Sequence, residues 1–248
     1  MRCKVQCSTK KHSKCSDGGS VPQRFPDKGL LACDRQRNLS LVELKKNADQ
    51  DDPNVHFYVV ATIKYQDQRF LQYGTGPNFQ GDLITLCTCK HLMRSSMDVC
   101  EWRGKWIAGF TSITEHQRKN FLVYMMKVSE AFESHYDLWF SESISCEAKR
   151  AKAAHLNRFG DIYEPKYRGT PRFVAKGFKK PCKNHNHVDG WPTDIKYEKG
   201  YSRRPAALLV GDQRKSFLWN HPKIWYPHQL PRQCKKLKFN EFLDRLRE

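Results

Sequence analysis

The chain has 248 residues, enough for one large domain with an appendage and for a sizeable hydrophobic interior. Its 44 Lys and Arg against 26 Asp and Glu give a formal charge of +18, so a polyanion is the expected partner. A composition of 39% hydrophobic and 12% aromatic residues excludes a disordered basic tail and puts the charge on a folded body.

Residues 1–53 mix Cys, Lys, Ser, Gly and Pro, and read as a basic, loosely packed arm with clustered apolar character only at Leu39 to Leu44. A dense β-branched and aromatic run, His56 to Ile63, predicts a strand. The loop Gly74 to Gly81 follows, then a predicted strand over Leu83 to Cys89 and a short helix near His91 to Met97. Strands are predicted at Trp106 to Phe110 and Phe121 to Val128. A helix is expected over Ser129 to Phe140 with Ser129 as its N-cap, and a basic, alanine-rich one over Glu147 to Asn157. Pro205 to Val210 reads as a late strand ending at Gly211. Phe239, Phe242, Leu243 and Leu246 recur at i, i+3, i+4 and i+7, which makes 240–247 an amphipathic helix docked on the body. The division is an arm at 1–53, a domain at 54–232 and a C-terminal docking helix within 233–248.

No apolar run approaches the roughly 18 residues of a membrane helix, and no signal-like segment stands in the first fifty. The expectation is a soluble, cytoplasmic chain with no membrane partner. Ten cysteines in such a chain read as reduced thiols or metal ligands rather than a disulfide framework. Charge is uneven: +6 over 1–50, −1 over 51–100, 0 over 101–150, +6 over 151–200 and +7 over 201–248. The neutral middle suits a scaffold or pocket, and the flanks suit a polyanion-facing surface.

Gly74-Thr75-Gly76 lacks the third glycine of a dinucleotide fingerprint and the Gly-Lys-Ser/Thr of a P-loop, so it reads as a turn. Asn78 within it carries an amide that could bond a base edge. Leu86-Cys87-Thr88-Cys89-Lys90 alternates like a strand, with thiols that serve either as small hydrophobes or as metal ligands, and Lys90 and Arg94 are candidate phosphate contacts.

The succession Pro77-Asn78-Phe79 with Gly81, Thr85 to Lys90, Arg94, Trp106-Ile107-Ala108-Gly109, Leu122 to Val128, Gly160-Asp161-Ile162-Tyr163-Glu164 and Leu208-Leu209-Val210 resembles the nucleotide-modification-associated domain family, second type, over about residues 55–230. Arg103-Gly104-Lys105-Trp106 stands where that family is expected to have Gly-Asp-Trp. The resemblance implies DNA base modification in a phage or bacterial setting, hence the cytoplasm of a bacterial or phage-infected cell, without specifying a reaction. The element order also resembles small barrels of the pseudouridine-synthase-associated type. The fold class expected is therefore α+β, a small mixed β-barrel with flanking helices. Such barrels hold a flipped base in an aromatic cage, for which Trp102, Trp106, Tyr124, Trp139 and Tyr163 are available; core packing is the other reading of these rings.

Asp161, Tyr163 and Glu164 bring two carboxylates and a phenol into a basic neighbourhood. They are the candidate catalytic group, with Asp161 as general base kept ionised by cations, or else solvated ion-pair partners. Asn78, Lys90, Arg94, Trp102 and Trp106 are the candidate substrate-binding residues. Lys166, Arg168, Arg172, Lys176, Lys179 and Lys180, interleaved with Tyr167, Phe173 and Phe178, together with Arg203 and Arg204, form the candidate nucleic-acid surface, DNA rather than RNA. Cys182, His185 and His187, like Cys3, Cys7, Cys15 and Cys33, depart from usual zinc spacings, and no metal is assigned. No cofactor motif is recognisable. A base-modifying enzyme and a non-catalytic reader of modified bases both fit these features.

Overall fold

The computed structural model describes residues 36–48, 54–153, 161–181, 190–196, 204–231 and 233–248. Its centre is a curled mixed sheet. β1 (Asn54–Val59) lies parallel to β5 (Trp106–Phe110), and every other neighbour is antiparallel: β6 (Asn120–Phe132) on β5, β7 (Leu208–Leu218) on β6, β4 (Thr85–Leu86) on β7, and β9 (Lys235–Lys238) on β1. A short strand, β8 (Trp225–Tyr226), adds to the start of β6. The hairpin β2 (Ile63–Gln66) and β3 (Arg69–Gln72) turns through Asp67 and Gln68, both at positive φ, as a two-residue hairpin loop requires.

The sheet stays open rather than closing into the expected barrel: it ends in β4 on one side and β9 on the other, and no pairing joins those edges among the described residues. The mixed α/β composition stands. Its curl follows from register shifts between β6 and β7, where Met126 faces Ser216 but Val128 faces Gly211. The intervening Asp212–Lys215 segment loops out, tied by Asp212 Oδ1, which accepts from the amides of Arg214 and Lys215. Extra residues on one strand bend and twist it locally.

Alternation on the strands divides the core between two faces. Trp106, Ala108 and Phe110 pack against Phe217, Tyr226 and the C-terminal helix α7 (Phe239–Arg245), whereas Ile107 joins Tyr58, Val123, Tyr124 and Trp102 on the other face. The helix expected from the Phe239, Phe242, Leu243, Leu246 spacing is present, with all four residues buried. The described part of the arm is better packed than expected. α1 (Leu41–Asn47) begins with a capping box between Ser40 and Glu43, Leu44 is fully buried, and Lys45 pairs with Asp244 at 2.9 Å.

Several boundaries differ from the sequence expectation; the strand expected over His56 to Ile63 ends at Val59, and the one expected to end at Gly211 runs on to Leu218. Ser129 is not an N-cap: its hydroxyl donates to the Val210 carbonyl across the sheet, β6 runs on to Phe132, and Ser134 caps α4 (His135–Phe140) by accepting from the Asp137 amide at 3.1 Å. The strand expected over Leu83 to Cys89 shrinks to two residues, because the Cys87 amide is taken by Asp161 and the Cys89 carbonyl by Arg94. Lys235–Lys238, within the segment expected to hold only the C-terminal docking helix, is the edge strand β9.

Tyr124 crosses Gly109 so closely that a Cβ there would lie 2.2 Å from its ring and 2.8 Å from Val60. Gly109→Ala is expected to lower stability by about 1–3 kcal/mol through overpacking, read as a fall in the denaturant midpoint at unchanged slope.

Candidate functional site

The buried polar groups gather where β4 meets the start of β7. After Leu86 the chain turns through Lys90, which adopts left-handed geometry (φ 59°), into α2 (His91–Arg94). That turn drives Arg94 inward, where it is fully buried. Its Nε donates to the Cys89 carbonyl at 2.8 Å and Nη1 to the Ala206 and Ala207 carbonyls at 2.9 and 2.6 Å. The Arg94 carbonyl accepts from the Trp102 indole at 3.0 Å, which ties in α3 (Val99–Trp102). Nη2 has no hydrogen-bond partner among the described residues. Burial pulls the guanidinium below its ordinary range, and the Cys87 and Cys89 thiols and the Asp194 and Asp161 carboxylates oppose that pull. Such an unsatisfied buried donor is costly unless a ligand or water meets it.

A second group surrounds Asp161. One carboxylate oxygen accepts from the Thr85 hydroxyl, and the other accepts from the Cys87 amide at 2.8 Å. Lys152, fully buried on α5 (Cys146–Ala153), donates to the carbonyls of Asn78 at 2.9 Å and Leu83 at 2.7 Å. Burial pushes Lys152 down to about 8 despite the Asp161 charge. It also pushes Asp161 up, the reverse of the cation-dominated expectation; Lys152 and the hydrogen bonds only partly offset it. Asn78 is sealed in the same network, its amide nitrogen donating to the Lys152 carbonyl at 3.3 Å and its amide oxygen accepting from Gln80. Gly81, at φ +69°, lies so close to Ala148 that a Cβ would sit 2.7 Å from its Cα, so the loop rests directly on α5. Asn78 and Asp161 therefore hold the β4 region together.

A third group lies beside Arg94. His91 Nε2 is 3.1 Å from Asp194 Oδ1, and Tyr163 Oη donates to Asp194 Oδ2 at 3.0 Å. Asp194 sits on α6 (Pro192–Ile195), a single turn started by Pro192. Its carboxylate is fully buried, while the His91 side chain keeps 14% exposure. The Tyr163 amide donates to His135 Nδ1 at 3.2 Å, and the two rings meet edge to face at 4.8 Å. Burial pushes His135 down to about 3, so it is neutral at physiological pH. An imidazole beside a sealed carboxylate that keeps some exposure to solvent can take or give a proton.

The structure brings together Asn78, Arg94, Asp161 and Tyr163 from the sequence candidates. Glu164 points away into an ion pair with Lys179 at 2.7 Å. Lys90 is partly buried, its Nζ 4.9 Å from the Tyr58 ring, and burial lowers it. Trp102 packs on His56 at 5.1 Å between ring centroids, whereas Trp106 lies across the sheet, stacked on Phe217. Tyr124 is in the core with Trp102, Trp139 packs beside Leu138 and Ile144, and Tyr163 beside Phe178, so the five rings form no single cage.

Of the basic series, Lys166, Arg168, Arg172, Lys176 and Lys180 are exposed and Lys179 half-buried. Arg172 pairs with Asp137 at 3.0 Å and Arg168 lies over Phe140. Arg204, also exposed, reaches Asp98 and Glu101. Tyr167 is 59% exposed while Phe178 is fully buried, so the aromatic interleaving divides between surface and core. Arg203, Cys182, His185, His187 and the N-terminal cysteines lie outside the described residues. Among the described residues no group of three His, Cys, Asp or Glu side chains is placed to hold a metal, and no helix is long and apolar enough to cross a membrane.

His91, His135, Lys152 and Asp194 were not among the sequence candidates. Lys152 shares an i, i+4 face with Ala148, a sign of burial, and Pro192 at a helix start marks Asp194 as a first-turn acid. Neither histidine carries a comparable local signal.

Searches of curated proteins and of solved structures found no match. A family-wide profile, nucleotide modification associated domain 2, matches residues 52–223, and the chain belongs to that family.

Proposed function

We propose that this member of the nucleotide modification associated domain 2 family acts on DNA in a bacterial or phage-infected cell, modifying a nucleotide or extruded base at the His91 side of the buried polar cluster. The carrying observation is the chain from Tyr163 through Asp194 to His91, which holds an imidazole at the boundary between a sealed carboxylate and solvent. His91 handles the proton there, and Asp194 fixes its ring orientation and stabilises its charged form. Asp161, with both oxygens engaged, serves as a positioning residue for β4. Exposed cations such as Lys166, Lys176 and Lys180 supply the sequence-independent attraction for phosphate. Extruding a base costs a few kcal/mol and exposes an edge that stacking hides. A reader of modified bases built on a Trp102 and Trp106 cage finds less support, since those rings lie on opposite faces of the sheet.

The test is mass spectrometry of nucleosides hydrolysed from DNA co-expressed with the protein. A new nucleoside is expected with the natural sequence, and its loss is expected with His91→Gln at an unchanged melting temperature. An undiminished peak with His91→Gln, or no new nucleoside with the natural chain, would overturn the reading.

A further inference from the structure

A second concave surface lies at the other end of β6 from the polar cluster. The β2–β3 hairpin, the connection from β5 to β6 and the connection from β7 to β8 border an open cleft of about 720 Å³. That size falls within the roughly 300–1,000 Å³ of ligand pockets. Three of its rings form a continuous run: Tyr65 and His116 are 4.1 Å apart between centroids, and His116 and Phe121 are 5.5 Å apart. Trp225, half-buried, supplies a fourth, with the Lys119 ammonium 4.2 Å from its centroid.

The chain between β5 and β6 turns sharply through Gln117 and Arg118, both at positive φ, and both His116 and Lys119 line the cleft. Lys119 makes no ion pair among the described residues. A second cation, Lys223, is committed within the fold: it donates to the Asn38 carbonyl at 3.0 Å and pairs with Glu248 at 3.6 Å. Aromatic faces beside ammonium groups are the elements that hold single strands: rings stack on any exposed base and cations track the phosphates. No residue of this cleft belongs to the His91 cluster.

The geometry points to a stacking subsite for single-stranded nucleic acid in this cleft, with an unpaired base stacked on Trp225 beside the Tyr65–His116 pair and Lys119 at the flanking phosphate. Where the duplex is opened around an extruded base or the substrate is single-stranded, this subsite grips the unpaired strand away from the site of chemistry, an arrangement that rests on the function proposed above.

The test is a fluorescence titration of the full chain with a short oligothymidylate and with an abasic strand of the same length. The base-containing strand is expected to bind at least about five-fold more tightly. Trp225→Ala is expected to remove that difference, Trp225→Phe to retain most of it, and Lys119→Gln to reduce the salt slope by about one. Should Trp225→Ala fail to fold, Tyr65→Ala and Trp225→Phe carry the same comparison. Equal binding of the two strands by the natural chain, or unchanged affinity in folded Trp225→Ala, would refute the subsite. His91→Gln is expected to bind both strands as the natural chain does, which separates this result from the fate of the proposed chemistry.

Discussion

Lys152→Met is expected to destabilise the protein by about 3–5 kcal/mol, because it removes the donor to two buried carbonyls and a positive charge that acts on the buried Asp161 carboxylate. Asp161→Asn alone is expected to cost less, since an amide can still accept from the Cys87 amide and meet the Thr85 hydroxyl. The informative quantity is the double variant. If the two groups are coupled through their charges, Lys152→Met with Asp161→Asn will be more stable than the two single losses predict, by more than about 1 kcal/mol. Additivity to within about 0.5 kcal/mol in urea unfolding would show that the carbonyl contacts of Lys152, and not its charge, hold α5 to the β4 region.

A second large effect concerns acid. His135 titrates at 6.5 in an ordinary environment and is pushed down to about 3 in the fold by burial. Above pH 6.5 the imidazole is neutral in both folded and unfolded chains, and its contribution to stability is fully present. As pH falls below 6.5 the unfolded chain takes up a proton that the folded chain refuses, so stability drops until pH reaches about 3. The whole interval is worth roughly 5 kcal/mol, and between pH 6.5 and 4.5 about 3 kcal/mol. His135→Asn keeps an acceptor near the Tyr163 amide and removes the titration. Carboxylates titrate in the same interval in both proteins, so the quantity to follow is the difference between natural chain and variant. That difference should shrink or reverse on acidification, and a difference constant with pH would show that His135 is not desolvated.

The sequence foretold best those elements whose own residues decide them. Trp106–Phe110 and Phe121–Val128 are dense in aromatic and branched side chains and form central strands of the sheet. The C-terminal helix announced itself through four apolar residues on one stripe. Where a distant partner decides, local signals failed. Lys235–Lys238 has no apolar alternation and becomes a strand because β1 offers it an edge. Residues 87–89 leave the ladder because Asp161 and Arg94 claim their backbone groups. The site was legible in the same proportion. The chain positions of Arg94, Asp161 and Tyr163 could be picked out, but not that burial would push the Asp161 carboxyl up. His91 and Asp194 meet only through the folding of segments a hundred residues apart, and nothing near either one in sequence marks the other.

The pairing of β1 with β9 bears on how the protein folds. One edge of β1 stays bare until β9, about 180 residues further along the chain, folds back onto it. The Leu41 amide likewise waits for a carboxylate 207 residues further on, that of Glu248. Closing so long a loop makes this pairing slow, and until it forms the apolar strand is open to other chains. When β9 arrives, its three lysines become the new outer edge of the sheet, and their mutual repulsion between molecules keeps that edge from recruiting another copy. Part of the chain's surplus positive charge therefore serves to keep folded molecules apart.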